Sequence, residues 1–263
     1  MNAVIVIPAR YASSRYPGKP LAELTSPDGT RASLIRMSWD AANKVAGASA
    51  VYVATDDDRI RDHCEAFGAA VIMTAEECRN GTERCADALA KAGIKADIIV
   101  NLQGDAPLTP PWFVEALIEA MRNDPAIAVA TPVLRCDRQT YTHFTDDRRA
   151  GRVGGTTAVF DTRGDALYFS KEVVPWLDPA KIEGQPPVYH HVGVYAYRPD
   201  ALTAYGQLAV GRLEELEGLE QLRFLENGHK VRCVEVDARG RLFWELNNPE
   251  DVPRIEQALR EMA

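Results

Sequence analysis

Residues 2–8 read NAVIVIP, a β-branched apolar run in which polar and apolar positions do not alternate. A strand with one face in solvent alternates with period two, whereas a strand covered on both faces of a parallel sheet does not. The run therefore predicts a central strand. Working outward, a loop rich in Arg, Ser, Pro and Gly follows, then a helical pattern over 33–45, then an apolar strand over 50–54 that ends in Thr55, Asp56, Asp57 and Asp58. Strand, loop, helix, strand is the unit of parallel sheets. It repeats as helix 60–67, strand 70–73, helix 82–92, strand 97–102 and helix 111–123. The expected fold is α/β, a doubly wound, mostly parallel, Rossmann-like sheet with helices on both faces. Ligands of such sheets bind beyond the carboxyl ends of the strands, which directs attention to residues 8–20, 55–58 and 103–107.

After about residue 126 the pattern changes to shorter β-like runs, at 127–134, 156–160, 192–197 and 231–236, with one helix over 213–226 and another over 251–262. Asn248, ahead of Pro249, Glu250 and Asp251, supplies a side-chain cap, a proline at the first helical position and acids at the positive helix end. Against roughly 150 residues per domain, a chain of 263 residues with no repeat or low-complexity linker reads as one domain. The pattern divides it into a βαβ half over residues 1–126, the expected ligand-binding half, and a β-rich half over 127–263.

The 30 Lys+Arg against 38 Asp+Glu leave a net charge of -8, so no general nucleic-acid surface is expected, since that needs a basic stripe. Five cysteines, Cys64, Cys78, Cys85, Cys136 and Cys233, form no CxxC pair. That pattern argues against a disulfide framework or zinc site and for a reducing cytoplasm. The apolar run 3–7 spans five residues, short of the roughly 7–15 of a signal core, and nothing approaches the ~20 of a membrane span. No membrane partner is expected.

The loop PARYASSRYPGKP (8–20) places Arg10, Arg15 and Lys19 after the first strand, with Pro8 and Ala9 at its start. Three cations there suit a polyphosphate, or else make a solvated basic loop. It is not a P-loop, because Lys19 is followed by Pro20 rather than Ser or Thr, and no GxGxxG follows a strand.

IPARYASSRYPGKPL (7–21) resembles the signature loop of the nucleotidyltransferases that activate acidic sugars, most closely the 3-deoxy-manno-octulosonate (Kdo) cytidylyltransferase family. The resemblance continues through VATDDDRI (53–60), NGTER (80–84), VNLQGDAPL (100–108), ALYFSK (166–171), HVGVYAYR (191–198), LEELEGLEQLRFLENG (213–228) and NPED (248–251), in order along nearly the whole chain. It implies a nucleotidyltransferase-type fold with a β-rich sugar-binding and dimerisation portion, a cytoplasmic homodimer, and transfer of CMP from CTP to an acidic sugar with release of pyrophosphate. Such transfer needs positioning and charge neutralisation more than covalent help. Asp105 is the implied Mg²⁺ ligand, since Mg²⁺ takes a carboxylate or two beside phosphate oxygens and water; a lone strand-end Asp is otherwise a turn former. Gln103 offers a donor and an acceptor to a cytosine edge. Asn80 and Gly81 either cap a helix or, as the resemblance implies, hold the base or ribose. Arg84, Lys171, His191, Tyr195, Glu214, Glu217, Glu220 and Gln221 match the sugar pocket and its rim. On a helix over 213–226, Glu214, Glu217 and Glu220 would share one face.

The chain also departs from the family pattern. Asn247-Asn248-Pro249-Glu250-Asp251 stands where the family has Asp-Thr-Pro-Glu-Asp, so the second metal carboxylate is replaced by Asn247, still a hard oxygen donor, with Asn248 as cap. Thr157 stands in place of a lysine, after Arg148, Arg149 and Arg152, one of which is a candidate replacement. Lys171 stands for an arginine, giving a point charge rather than a fork. These changes leave three rivals to Kdo transfer: the same chemistry on another acid (8-amino-Kdo, a sialic-type sugar or a phosphonate), a nucleotide-binding relative with impaired catalysis, and, last, an interaction domain.

Overall fold

The computed structural model describes residues 1–12, 16–105, 107–240, 246 and 249–261. Its strands are β1 (Ala3–Ala9), β2 (Glu23–Thr25), β3 (Arg31–Ser33), β4 (Ala48–Thr55), β5 (Ala70–Met73), β6 (Ile98–Leu102), β7 (Val129–Arg135), β8 (Thr157–Phe160), β9 (Ala166–Ser170), β10 (Tyr189–His191), β11 (Val194–Tyr197) and β12 (Arg232–Val236). Its helices are α1 (Leu34–Ala42), α2 (Asp58–Ala66), α3 (Gly81–Ala92), α4 (Pro111–Asn123), α5 (Arg138–Arg149), α6 (Pro199–Tyr205), α7 (Arg212–Glu217), α8 (Leu222–Glu226) and α9 (Val252–Glu261).

Every residue of β1 is buried, as its unbroken apolar run requires. Ile5 and Ile7 face a core with Ile35 of α1, Ile60 of α2 and Phe113, Leu117 and Met121 of α4. Val4 and Val6 face the other core with Cys85, Ala88 and Leu89 of α3 and Phe224 of α8. Helices thus cover both faces. The parallel part runs β5-β4-β1-β6. Because the chain leaves β1 for β4 on one side and returns through α3 to β6 on the other, the carboxyl ends of β1 and β6 border a topological switch point.

The remaining strands are mostly antiparallel. Residues 189–197 form one long bent strand: β10 and β11 lie in turn along β7, with His191 opposite Val133 and Ala196 opposite Ala130, so the register takes up two extra residues between them. With that edge on β7, the other edge of β11 pairs with β6 and the other edge of β10 with β8. The bend parts β6 from β8. Thr131 fills it, its hydroxyl lying 2.8 Å from the Val194 carbonyl and 3.2 Å from that of Val192.

The expected helix over 213–226 is two helices. Gly218, at φ 61, is the left-handed C-cap of α7 and donates its N–H to the Glu214 carbonyl, which ends the helix and takes Glu220 off the face it would have shared. The β2-β3 hairpin, α5, α6 and the edge strand β9 are further elements that the pattern over the sequence does not predict. All five cysteines are free, and burial pushes the thiols of Cys64, Cys136 and Cys233 up to about 12.

The double-sided packing of β1 gives a direct expectation: Ile5→Ala should lower the unfolding free energy by about 2–5 kcal/mol, read as a lower urea midpoint with an unchanged slope.

Candidate active site

Beyond the carboxyl ends of β1 and β6 lies a cleft of ≈2180 Å³, larger than the roughly 300–1,000 Å³ of a single small-molecule pocket and so roomy enough for two substrates. One wall carries Pro8, Ala9, Arg10, Lys19, Asn80, Gly81, Arg84, Gln103 and Asp105. The loop after β1 is closed by the Gly18 N–H donating to the Tyr11 carbonyl at 2.9 Å. Tyr11 in turn lies under the Arg59 guanidinium, 3.3 Å from the ring centroid, which ties this loop to the one after β4. Lys19 then reaches across to β6, its Nζ 2.5 Å from Asp105 Oδ2. Arg10 is exposed at the rim. Arg15 and Asn247 lie outside the described residues, as does Asn248. Leu246, immediately before them in the chain, is buried and donates its N–H to the Asp105 carbonyl at 2.9 Å.

Asn80 is the N-cap of α3: its side-chain oxygen accepts from the Glu83 N–H at 2.9 Å, and its Nδ2 donates to Tyr205 Oη at 3.0 Å. With both ends of the carboxamide engaged, the cap reading describes this side chain. Gly81 leaves room beside the Gln103 side chain: a Cβ there would lie 2.9 Å from Gln103 Nε2, which would have to shift. That space lets the Gln103 carboxamide lie against the start of α3, 3.5 Å from Glu220 Oε1. Arg84 lines the cleft but is 3% exposed, its guanidinium donating to Thr74 Oγ1 and to Asp56 Oδ2 at 3.3 Å. It is a buried, paired group that stiffens the wall.

The opposite wall carries Lys171, His191, Tyr195, Glu220 and Gln221. His191 and Tyr195 flank the bend in the long strand. Burial, then the charge of His190, lowers the His191 pKa to about 3, so the ring is neutral at physiological pH. Its Nε2 is 3.0 Å from Thr131 Oγ1. Since the Thr131 hydroxyl proton goes to a carbonyl of the bend, Nε2 carries the ring proton and Nδ1 is left as an acceptor. Tyr195 Oη donates to Gln221 Oε1 at 3.0 Å, while Gln221 Nε2 is buried with no hydrogen-bond partner among the described residues. Burial raises the Glu220 pKa to about 7 against the pull of the Thr82 N–H. Lys171 Nζ lies over Gly218, 3.2 Å from where a Cβ would stand.

Two expected pocket residues are elsewhere. Glu214 does not line the cleft; it is 9% exposed and forms a two-bond ion pair with buried Arg223, at 2.7 and 2.6 Å. Glu217 is also off the cleft surface, accepting from Tyr168 Oη, Ser170 Oγ and the Lys171 N–H. Burial raises the Glu217 pKa, but these hydrogen bonds outweigh it and hold the carboxyl below its usual value. Both carboxylates therefore fix the pocket wall, and the break at Gly218 is the reason only Glu220 turns inward. Thr157 is likewise engaged, donating to the Glu172 carbonyl and accepting from the Val174 N–H. Of the nearby arginines, Arg148 pairs with Glu172 and Arg149 with Asp146, while Arg152 pairs with Asp147 and lines the cleft. Sequence reasoning missed Thr131 and the α5 wall of Asp137, His143 and Asp147, for which no local motif gives a signal.

The raised Glu220 pKa has a signed consequence. The folded protein keeps this proton to about pH 7, whereas the unfolded chain releases it near 4.5. Folding then binds a proton between these values, so this group lowers stability as pH rises through that window. Urea unfolding at pH 4 and pH 8 should show a smaller loss in Glu220→Gln than in the parent.

The family model described as Cytidylyltransferase matches residues 4–231. The 3-deoxy-manno-octulosonate cytidylyltransferase of Maricaulis maris is 44% identical over 97% of this chain and 96% of its own. The 8-amino-3,8-dideoxy-manno-octulosonate cytidylyltransferase of Shewanella woodyi is 40% identical over 98% of this chain and 99% of its own. A solved structure of CMP:2-keto-3-deoxy-manno-octonic acid synthetase complexed with CTP superposes with TM-score 0.84 at 36% identity, covering 100% of both chains. At 12% identity and TM-score 0.59, 4-diphosphocytidyl-2C-methyl-D-erythritol synthase of Anaerococcus prevotii, matched over 98% of this chain and 96% of its own, shares the fold alone. With the loop of cations after β1 and the carboxylate after β6 on one cleft, these likenesses make the chain a nucleotidyltransferase that belongs to the cytidylyltransferase family, in its 3-deoxy-manno-octulosonate group.

Proposed function

We propose that the protein transfers CMP from CTP to Kdo, a 3-deoxy-ulosonic acid, for envelope polysaccharide, as a cytoplasmic homodimer that uses Mg²⁺. The observation that carries this reading is the joining of Arg10, Lys19 and Asp105 at one end of a cleft to Lys171, His191, Tyr195, Glu220 and Gln221 at the other. In the reaction, the acceptor hydroxyl oxygen bonds to the α-phosphorus of CTP, the bond to the β-phosphate breaks, pyrophosphate leaves and the hydroxyl proton passes to solvent. Arg10, Arg15 and Lys19 neutralise the phosphates. Pro8, Ala9, Gly81 and Gln103 border the nucleoside, and the Asn80 cap holds the start of α3 against it. Asp105 and the amide oxygen of Asn247 are hard donors of the type Mg²⁺ takes; bound there, the ion would offset charge on the phosphate oxygens. Lys171 meets the acid's carboxylate as a point charge. The neutral His191 Nδ1, Tyr195, Glu220 and Gln221 Nε2 meet its hydroxyls, with Arg84, Glu214 and Glu217 supporting the walls.

Pyrophosphate release from CTP should require both Mg²⁺ and the acid, and Asp105→Asn should reduce kcat at least 10²-fold, in the range for loss of one electrostatic stabiliser. Release without acid, or full activity of Asp105→Asn, would count against the reading. Relatives of both acid types align over nearly the whole chain, so Kdo and 8-amino-Kdo belong in the same assay.

The homodimer is supported by three exposed large apolar side chains, Leu167 of the edge strand β9, Trp176 of the loop that follows it and Leu216 of α7, at 65%, 82% and 71%. Light scattering should report a dimer that Leu167→Asp converts towards monomer.

A further inference from the structure

The Lys19–Asp105 pair joins the two groups that the proposed reaction assigns to opposite charges. Asp105 is to face a divalent cation and Lys19 a phosphate, yet here they face each other, Nζ to Oδ2 at 2.5 Å. The contact is sheltered, with the two side chains 15% and 26% exposed, so water screens it little. It is also built. Lys19 opens a short 3-10 turn with buried Pro20, and the backbone on either side is held by Gly18 N–H to Tyr11 O and Ala22 N–H to Lys19 O. Asp105 is held from the other side by the Leu246 N–H on its carbonyl, and the preceding Gly104 carbonyl accepts from Ser38 Oγ at 3.1 Å. Two anchored backbones thus bring one ammonium onto one carboxylate. Arg10, on the same loop and cleft, is exposed and has no carboxylate partner among the described residues. Of the two described cations of the loop, only Lys19 is parked on an acid.

An ammonium at 2.5 Å from a carboxylate oxygen occupies the lone-pair region a metal ion would take, and repels a second cation brought there. Phosphate oxygens draw ammonium groups strongly, and the flexible lysine stem allows the head group to leave while its backbone stays fixed. We propose that Lys19 is a counter-ion latch, which keeps Asp105 closed to a lone divalent cation until the phosphates of an incoming nucleotide draw the ammonium away. Metal then enters with the nucleotide or after it. A pair that only braces the loop would have no such effect on metal affinity.

The inference rests on Asp105 as the metal-binding carboxylate, so its test reads binding of the metal alone. Mn²⁺ is titrated into nucleotide-free protein and the free ion followed by electron paramagnetic resonance. Lys19→Met, which keeps the stem and removes the charge, should bind Mn²⁺ at least tenfold tighter than the parent. Lys19→Gln should shift in the same direction and carries the comparison should the first variant not fold. The gain should vanish in the Lys19→Met/Asp105→Asn double variant. Affinity no tighter in either single variant, or a gain that survives in the double variant, overturns the latch. Failure of the underlying reading is distinct, because it appears as Asp105→Asn retaining full pyrophosphate release.

Discussion

The bend at residues 192–193, filled by Thr131, is the constraint on which the wall of the cleft that carries His191 and Tyr195 depends. A strand of regular pleat from 189 to 197 would carry β6 and β8 along one line and leave no room between them. By absorbing two extra residues against β7, the strand gives one part of its free edge to β6 and the other to β8. The Thr131 hydroxyl donates its one proton at the bend, where the Val194 carbonyl at 2.8 Å is the nearer acceptor and the Val192 carbonyl accepts from the Val194 N–H, as buried backbone groups require. The same hydroxyl orients His191. One threonine on a neighbouring strand therefore braces the bend and sets the hydrogen-bonding sense of a residue in the cleft wall.

Charge is distributed with the same economy. The cleft walls are braced by buried ion pairs, with Arg84 on Asp56 and Arg223 on Glu214 and Glu83. Buried charges of this type persist only when paired and hydrogen-bonded. Two carboxylates that by residue type alone look suited to sugar hydroxyls, Glu214 and Glu217, are consumed in this framework. What remains facing the cleft from that segment is Glu220, whose burial favours the protonated form. On that wall the groups are thus one ammonium, a neutral imidazole, a phenol, the Glu220 carboxyl and the Gln221 carboxamide. That set suits an acid with many hydroxyls.

Much of the fold was legible. The non-alternating run at the N-terminus marked the central strand, and the βαβ grammar that follows placed the parallel part of the sheet because each element there is local and its period unambiguous. The family motifs located both walls of the cleft. Legibility failed where a short-range pattern is overridden by one residue or by distant partners. Gly218 divides what its flanking residues present as a continuous helix, and α5 carries few apolar residues, with Phe144 its one buried hydrophobic side chain. β10 is only three residues long, too short for any periodicity to register.

By itself the sequence determined which residues are chemically equipped for the task, namely the cations after β1, the acid after β6 and the polar residues of the later motifs, because residue type and strand-end position are local properties. Only the tertiary structure decided which of them face the ligand space and which hold one another. Asn80 became a cap, Glu214 and Glu217 became braces, and Lys19 came to rest on Asp105. Hydrogen-bond and ion-pair partners are chosen by three-dimensional proximity across as many as 231 positions of chain, as between the Thr25 N–H and Glu256, and no local pattern records that choice.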